Sequence, residues 1–228
     1  MKKLASQYDI LLVQEHWLHE FQLHKLREET DCKTVCSVSG MDPAQIIYGR
    51  PYGGCAILIK NDRIDVEYIS TACRRLCACI VQLPGSSERL LILNVYMPCE
   101  SVDRECSIYF DVLLEMTSVI ENHVNVSHVL IGGDLNTNIS TRVNSSYVQL
   151  LSDFCTQHQL NFCVQNAISR VDYTYVKYNE NFDQSLMLAN SIDSINLNFI
   201  PNVYLEDFEN SIINIKLSKN FILKTFNT

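Results

Sequence analysis

The sequence predicts an α/β chain in which mixed β-sheet is layered with helices, and three observations carry that reading. Seven short runs are either continuously apolar or alternate with a period of two, the pattern of buried or half-buried strands. Three longer stretches repeat apolar residues at three- and four-residue spacing, the pattern of a helix with one buried face. The chain has 228 residues, 47% of them hydrophobic, enough to fill one large domain around a substantial core. Residues 1–228 are therefore read as a single domain.

The strand-like runs fall at 9–14, 34–39, 54–60, 64–69, 77–83, 89–96 and 128–132. Pro84-Gly85-Ser86-Ser87 separates two of them and reads as a hairpin loop. The helical stretches fall at 18–29, 103–122 and 145–157; Tyr109, Val112, Leu113, Met116 and Ile120 make the clearest stripe, read as a packing face. Strands joined partly by hairpins and partly by helices point to mixed pairing rather than a purely parallel sheet. No internal repeat or low-complexity tract is found. After Gly133 the chain has no glycine and after His158 no histidine, and roughly the last 70 residues, rich in Asn, Ser and Ile, give only broken strand signals.

A formal net charge of −8 and a pI near 5.2 argue against a bulk electrostatic grip on nucleic acid, which needs clustered Lys and Arg. A phosphate substrate would need a metal and local basic groups, for which Arg50, Arg74, Arg75 and Arg142 are the candidates, although isolated arginines are commonly solvated surface. Ten cysteines do not recur at zinc spacing, and Cys55, Cys73, Cys77, Cys79, Cys155 and Cys163 sit among core-type neighbours, where a free thiol behaves as a small hydrophobe. The N-terminus lacks the apolar core of a signal peptide and no run reaches membrane-spanning length, so the expectation is an intracellular, reducing compartment, cytoplasm or nucleus, with no membrane partner.

Two windows carry chemistry. Residues 129–138 read Val-Leu-Ile-Gly-Gly-Asp-Leu-Asn-Thr-Asn, an apolar run that ends on two glycines and then presents Asp134 and Asn136. Glycines at a strand end let the backbone turn and a ligand come close, which places the two polar residues at a mouth; a plain Gly-Asp turn with Asn136 as a cap accounts for the window equally well. Tyr8 to Leu18 is a second apolar run ending in Glu15, followed by His16 and Trp17. A carboxylate at a buried strand end must be hydrated, paired or bound to a cation, and Mg2+ is held by one or two carboxylates plus water and phosphate. The plain alternative for Glu15 is a first-turn acid of the helix that follows.

With Gln14-Glu15, Gly53-Gly54 leading a strand, Asn94-Val95-Tyr96-Met97-Pro98 and Gly133-Asp134-Leu135-Asn136 in that order, the chain resembles the endonuclease/exonuclease/phosphatase superfamily. More narrowly it looks like the endonuclease domain of non-LTR retrotransposons, over about Tyr8 to Tyr175. The resemblance implies a four-layered α/β sandwich, two mixed sheets face to face with helices outside. It also implies Mg2+, or Mn2+ in its place, a DNA or other phosphodiester substrate, and a reverse transcriptase domain in the intact gene. Residue by residue, Glu15 matches the metal-binding glutamate, Tyr96 the phosphate-contacting tyrosine, Asp134 the aspartate that orients or deprotonates water, and Asn136 the asparagine that steadies the phosphorane. Trp17, Tyr173 and Tyr175 are the candidates for lining the groove against bases, with ordinary core or rim aromatics as the alternative.

The pattern departs from the family at both ends. The family's first strand, with its metal-ligating asparagine, lies before the point where the match begins, which predicts an unpaired flank in the sheet interior. At the other end either Ser191-Ile192-Asp193 and Glu209-Asn210 replace the acid-histidine elements, or short deletions at Ser185–Leu188 and Glu209–Ile212 remove them; in both cases the imidazole is missing. Loss of a general base costs roughly 10² to 10⁴ in rate. The expectation is therefore impaired metal-dependent phosphodiester hydrolysis, with a catalytically silent nucleic-acid or protein binding module second and a small-phosphate phosphatase third.

Overall fold

The computed structural model describes residues 9–44, 52–82, 85–100, 102–103, 105–137, 145–165, 174–176, 195–196, 214–216 and 220–225, with the backbone alone from residue 161 onward. Among them lie β1 (Ile10–Gln14), α1 (His24–Thr30), β2 (Thr34–Val38), β3 (Cys55–Ile59), β4 (Asp65–Ile69), β5 (Leu76–Gln82) and β6 (Arg89–Tyr96). They are followed by α2 (Ser107–Asn122), β7 (His128–Asp134), α3 (Ser146–Gln157), β8 (Asn161–Gln165), β9 (Thr174–Val176), β10 (Ile195–Asn196), β11 (Asn214–Lys216) and β12 (Asn220–Thr225). One sheet has the order β10-β11-β1-β3-β2 and the other β4-β5-β6-β7-β12-β8-β9. Pairing is mixed: β6 and β7 run parallel, whereas β5 and β6 form the antiparallel hairpin that closes from Gln82 to Arg89.

Strict alternation along the strands builds four layers. Ile10 and Leu12 of β1, Cys55, Ile57 and Ile59 of β3, Cys77, Cys79 and Val81 of β5, Leu90 and Ile92 of β6 and Leu130 of β7 meet between the sheets. Their neighbours face the other way. Leu11, Ala56 and Leu58 pack under Leu26 of α1. Leu91, Leu93, Val95, Val129 and Ile131 receive Tyr109, Val112, Met116 and Ile120 of α2 and Leu151 and Phe154 of α3. The order is helix, sheet, sheet, helices, a four-layered α/β sandwich, and each fully buried aliphatic contributes about 1.5–3 kcal/mol of transfer free energy. The nine cysteines whose side chains are described are free thiols, and Cys36, Cys55, Cys77 and Cys79 serve as small apolar groups in the inter-sheet layer.

Three expectations need correction. The stretch 18–29 splits into a 3-10 turn at Glu20–Gln22 and α1, because the Gln22 side chain accepts from the His19 N–H (3.1 Å) and closes a tighter first turn. Helix α2 starts at Ser107 rather than 103: Cys106 is left-handed (φ 58°), and the Asp103 carboxylate caps the helix by accepting from Tyr109 N–H (2.7 Å). The flank of β1 expected to lie open is covered by β11, parallel, with Ile10 opposite Ile215 and Leu11 opposite Lys216. β12 similarly pairs with β7 from Asn220–Gly133 to Thr225–His128, so the weak strand signals near the C-terminus complete both sheets. No helix among the described residues is long and apolar enough to cross a membrane.

Candidate active site

Pleat parity carries the polar residues of three strands into one end of the inter-sheet layer. Gln14 has the parity of Ile10 and Leu12, Asn94 and Tyr96 that of Leu90 and Ile92, and Asp134 that of Leu130, so all four side chains point toward the opposite sheet. The parallel pairing of β6 with β7 sets Tyr96 directly beside Asp134, and Met97 N–H donates to the Asp134 carbonyl (2.8 Å).

Glu15 stands where β1 ends. It adopts φ 55° and Trp17 φ 56°, left-handed conformations that cost a side-chain-bearing residue about 1–2 kcal/mol. The turn is held by Glu15 N–H to Gly54 O (2.9 Å) and Trp17 N–H to Gly53 O (3.0 Å). The His16 ring fills the space a Cβ on Gly54 would take, which is why the Gly-Gly pair leads β3. His16 Nδ1 accepts from Leu18 N–H (3.1 Å), leaving Nε2 to carry the proton it donates to Val38 O (3.0 Å). Burial holds this imidazole below its ordinary value, against the pull of the Val38 and Cys55 carbonyls and Glu20. His16 thus braces the turn that follows β1.

The Glu15 and Asp134 carboxylates both lie near enough to the Tyr96 hydroxyl to act on it. Burial first, then Glu15 and then Asp134, push the phenol well above its usual range, against the opposing Arg75. The Arg75 guanidinium lies over the Tyr96 ring, 5.5 Å from its centroid, and Nη1 donates to Tyr96 O (3.2 Å). Asp134 is buried, 3% exposed, and its Oδ1 accepts from Asn136 N–H (3.2 Å). Asn136 is left-handed (φ 48°), which asparagine tolerates, and its Nδ2 donates to Met97 O (2.7 Å). Under the mouth, the Cys55 thiol donates to Arg75 O (3.5 Å) and is pushed up by burial, then by Cys73 and Asp134.

Glu15, Tyr96, Asp134 and Asn136 therefore gather at one mouth. Trp17 lies in the turn that follows Glu15, 43% exposed, with its backbone N–H on Gly53 O. Tyr175 is in β9 opposite Val164, at the far edge of the seven-stranded sheet from β6. Tyr173 lies outside the described residues, as do Arg50, Arg142, Ser185–Leu188, Ser191-Ile192-Asp193 and Glu209–Ile212. Arg74 is engaged elsewhere, donating to Met41 O (3.0 Å) and lying 4.0 Å from Glu20. The sequence alone did not single out Arg75 from the other arginines, and it set Gln14 and Asn94 within the motifs without giving either a role; the parity of Asn94 with Leu90 and Ile92 was the available signal.

No group of three His, Cys, Asp or Glu side chains converges among the described residues. Two carboxylates and a phenol do converge. That donor set is all hard oxygen, which suits Mg2+ or Mn2+ carried largely on water and phosphate.

No family model matches the sequence, and no curated protein matches it. Solved structures do share the fold. An endonuclease/exonuclease/phosphatase family protein from Bacteroides thetaiotaomicron is similar with a TM-score of 0.52 and 13% identity, over 98% of this chain and 85% of that one. The endonuclease domain of TRAS1, a telomere-specific non-LTR retrotransposon, is similar with a TM-score of 0.50 and 11% identity, over 100% and 92%. The human Nocturnin catalytic domain gives 0.46 and 15% over 71% of this chain, which spans 62% of that domain. Architecture is what these comparisons have in common with the present structure: the chain has the endonuclease/exonuclease/phosphatase fold.

Proposed function

We propose that the chain is a divalent-metal-dependent phosphodiester hydrolase of reduced activity, acting on DNA and derived from a retrotransposon endonuclease that accompanies a reverse transcriptase. The observation that carries this reading is the meeting of Glu15, Tyr96 and Asp134 beside Arg75 at the mouth between the sheets. When bound, Mg2+ or Mn2+ would supply a Lewis acid for a phosphate oxygen, with Glu15 as its protein ligand. Asp134 is, among the described residues, the buried carboxylate beside Tyr96, suited to orienting an attacking water and drawing off its proton. Tyr96, held protonated, can donate to a phosphate oxygen. Asn136 spends one amide hydrogen on Met97 O and keeps a second for the developing charge. Trp17, exposed two residues after Glu15, is the candidate for a base contact.

Nicking of supercoiled plasmid tests the reading. Mg2+-dependent nicking that EDTA, Glu15→Gln and Asp134→Asn each abolish supports it; equal background in all four conditions overturns it. A catalytically silent binding module is the second reading, favoured by the small number of acids at the mouth among the described residues. It predicts salt-sensitive DNA binding that Asp134→Asn leaves unchanged, without nicking.

A further inference from the structure

Asn94 is a wholly buried polar side chain, 0% exposed, in a layer otherwise built from aliphatic groups and thiols. An amide there costs several kcal/mol unless its hydrogen-bonding capacity is met. It is met entirely from the opposite sheet. The two Nδ2 hydrogens go to Val13 O of β1 and Ala56 O of β3, both at 2.9 Å, and Oδ1 accepts from Gln14 Nε2 of β1. Val13 and Ala56 are direct partners in the β1–β3 ladder, so one amide grips both strands at the same level.

The location gives these bonds their meaning. Asn94 precedes Tyr96 by two residues on the same face of β6 and pairs with Gly132, two residues before Asp134. Gln14 and Val13 immediately precede Glu15. The grip thus lies one pleat below the mouth and joins the strand bearing Glu15 to the strands bearing Tyr96 and Asp134. Apolar contacts between sheets are non-directional and permit sliding. Three hydrogen bonds from one planar amide do not, because each falls off steeply with angle and distance.

We propose that Asn94 is a positioning residue that sets the separation and register of Glu15 against the Tyr96–Asp134 pair. The proposal rests on the hydrolase reading for its catalytic consequence, while its geometric content stands apart. A misplacement on the order of 1 Å costs about a hundredfold in rate.

The test uses Asn94→Leu, of similar volume and unable to form the three bonds, against Ile92→Val, a cavity variant one pleat further down the same strand, with stabilities matched by urea. Fluorotyrosine at position 96 reports the phenol by 19F NMR in both backgrounds, and Glu15→Gln fixes the signal expected when the Glu15 contact is lost. At a fixed pH, Asn94→Leu should move the 19F signal toward its Glu15→Gln position and reduce kcat on an oligonucleotide about a hundredfold with KM little changed. Ile92→Val should do neither. Asn94→Ser, which keeps one donor, should lie between them and serves if Asn94→Leu does not fold. An Asn94 variant whose Tyr96 19F signal matches the parent overturns the proposal. A parent protein with no metal-dependent nicking overturns the hydrolase reading instead, and the 19F signal then decides the proposal alone.

Discussion

Gly133→Ala is the substitution whose effect the structure specifies most fully. Gly133 adopts φ 135°, a region that residues with a Cβ rarely enter. A Cβ there would lie 2.8 Å from the Val95 nitrogen and 2.9 Å from its carbonyl carbon, and closer still to its oxygen. All three atoms are backbone of the adjacent parallel strand, with Val95 paired to Gly133 itself, so no side chain can swing aside. Relief requires β6 and β7 to part where they carry Tyr96 and Asp134. The backbone strain costs about 1–3 kcal/mol, and losing about two ladder hydrogen bonds adds about 1 kcal/mol each. The sum, about 3–5 kcal/mol, is a large share of the roughly 5–15 kcal/mol that holds a domain folded. With a urea slope of about 2–3 kcal/mol/M, the unfolding midpoint should fall by about 1–2 M. Gly85→Ala is the matched control: φ is 77°, yet a Cβ meets nothing within 4 Å, so only strain of about 1 kcal/mol is expected. Equal midpoints for the two variants would refute the reasoning.

Tyr96→Phe removes the hydroxyl and leaves the ring under Arg75; nicking should fall about 10²-fold with the melting temperature unchanged, and parental activity would dismiss the phenol as a donor. For His16, burial lowers the folded-state value from 6.5, so its contribution to stability is complete above about pH 6.5 and is lost as pH falls through that lowered value. The melting temperature of the parent should therefore drop more steeply than that of His16→Gln as the pH is taken from about 7 to 5, and parallel curves would show that the imidazole is not coupled to folding. Asp103→Ala strips the cap from α2 and should cost about 0.5–2 kcal/mol in urea unfolding; no change would mean that the Tyr109 and Ser107 contacts are dispensable.

The strands were legible because alternation is a strong local signal: β1 to β7 fall within one or two residues of their expected limits. Helix starts were less legible, since Asp103 and Gln22 act through side-chain bonds that periodicity does not register. The late strands were hidden for another reason. β11 and β12 are short and give broken periodicity, and their pairing with β1 and β7 joins residues roughly 90 to 200 positions apart, which no local window detects. In the site, Glu15, Asp134 and Asn136 stood out because polar groups after apolar runs are conspicuous. Asn94 stood in a motif but had no legible role, because a single polar residue inside an apolar run looks like an interruption until the opposite sheet supplies its partners.

The thiols between the sheets have a consequence for how the protein is lost. Packed, Cys36, Cys55, Cys77 and Cys79 are shielded from oxidants; burial keeps Cys55 and Cys77 from ionising, and the neighbouring Cys36 together with burial does so for Cys79. Once the layers separate, they become ordinary reactive groups on a mobile chain, and random cross-linking in air competes with return to the native arrangement. Survival on heating is then governed by how often the sandwich opens, and a reductant such as dithiothreitol converts a one-way inactivation into a recoverable transition.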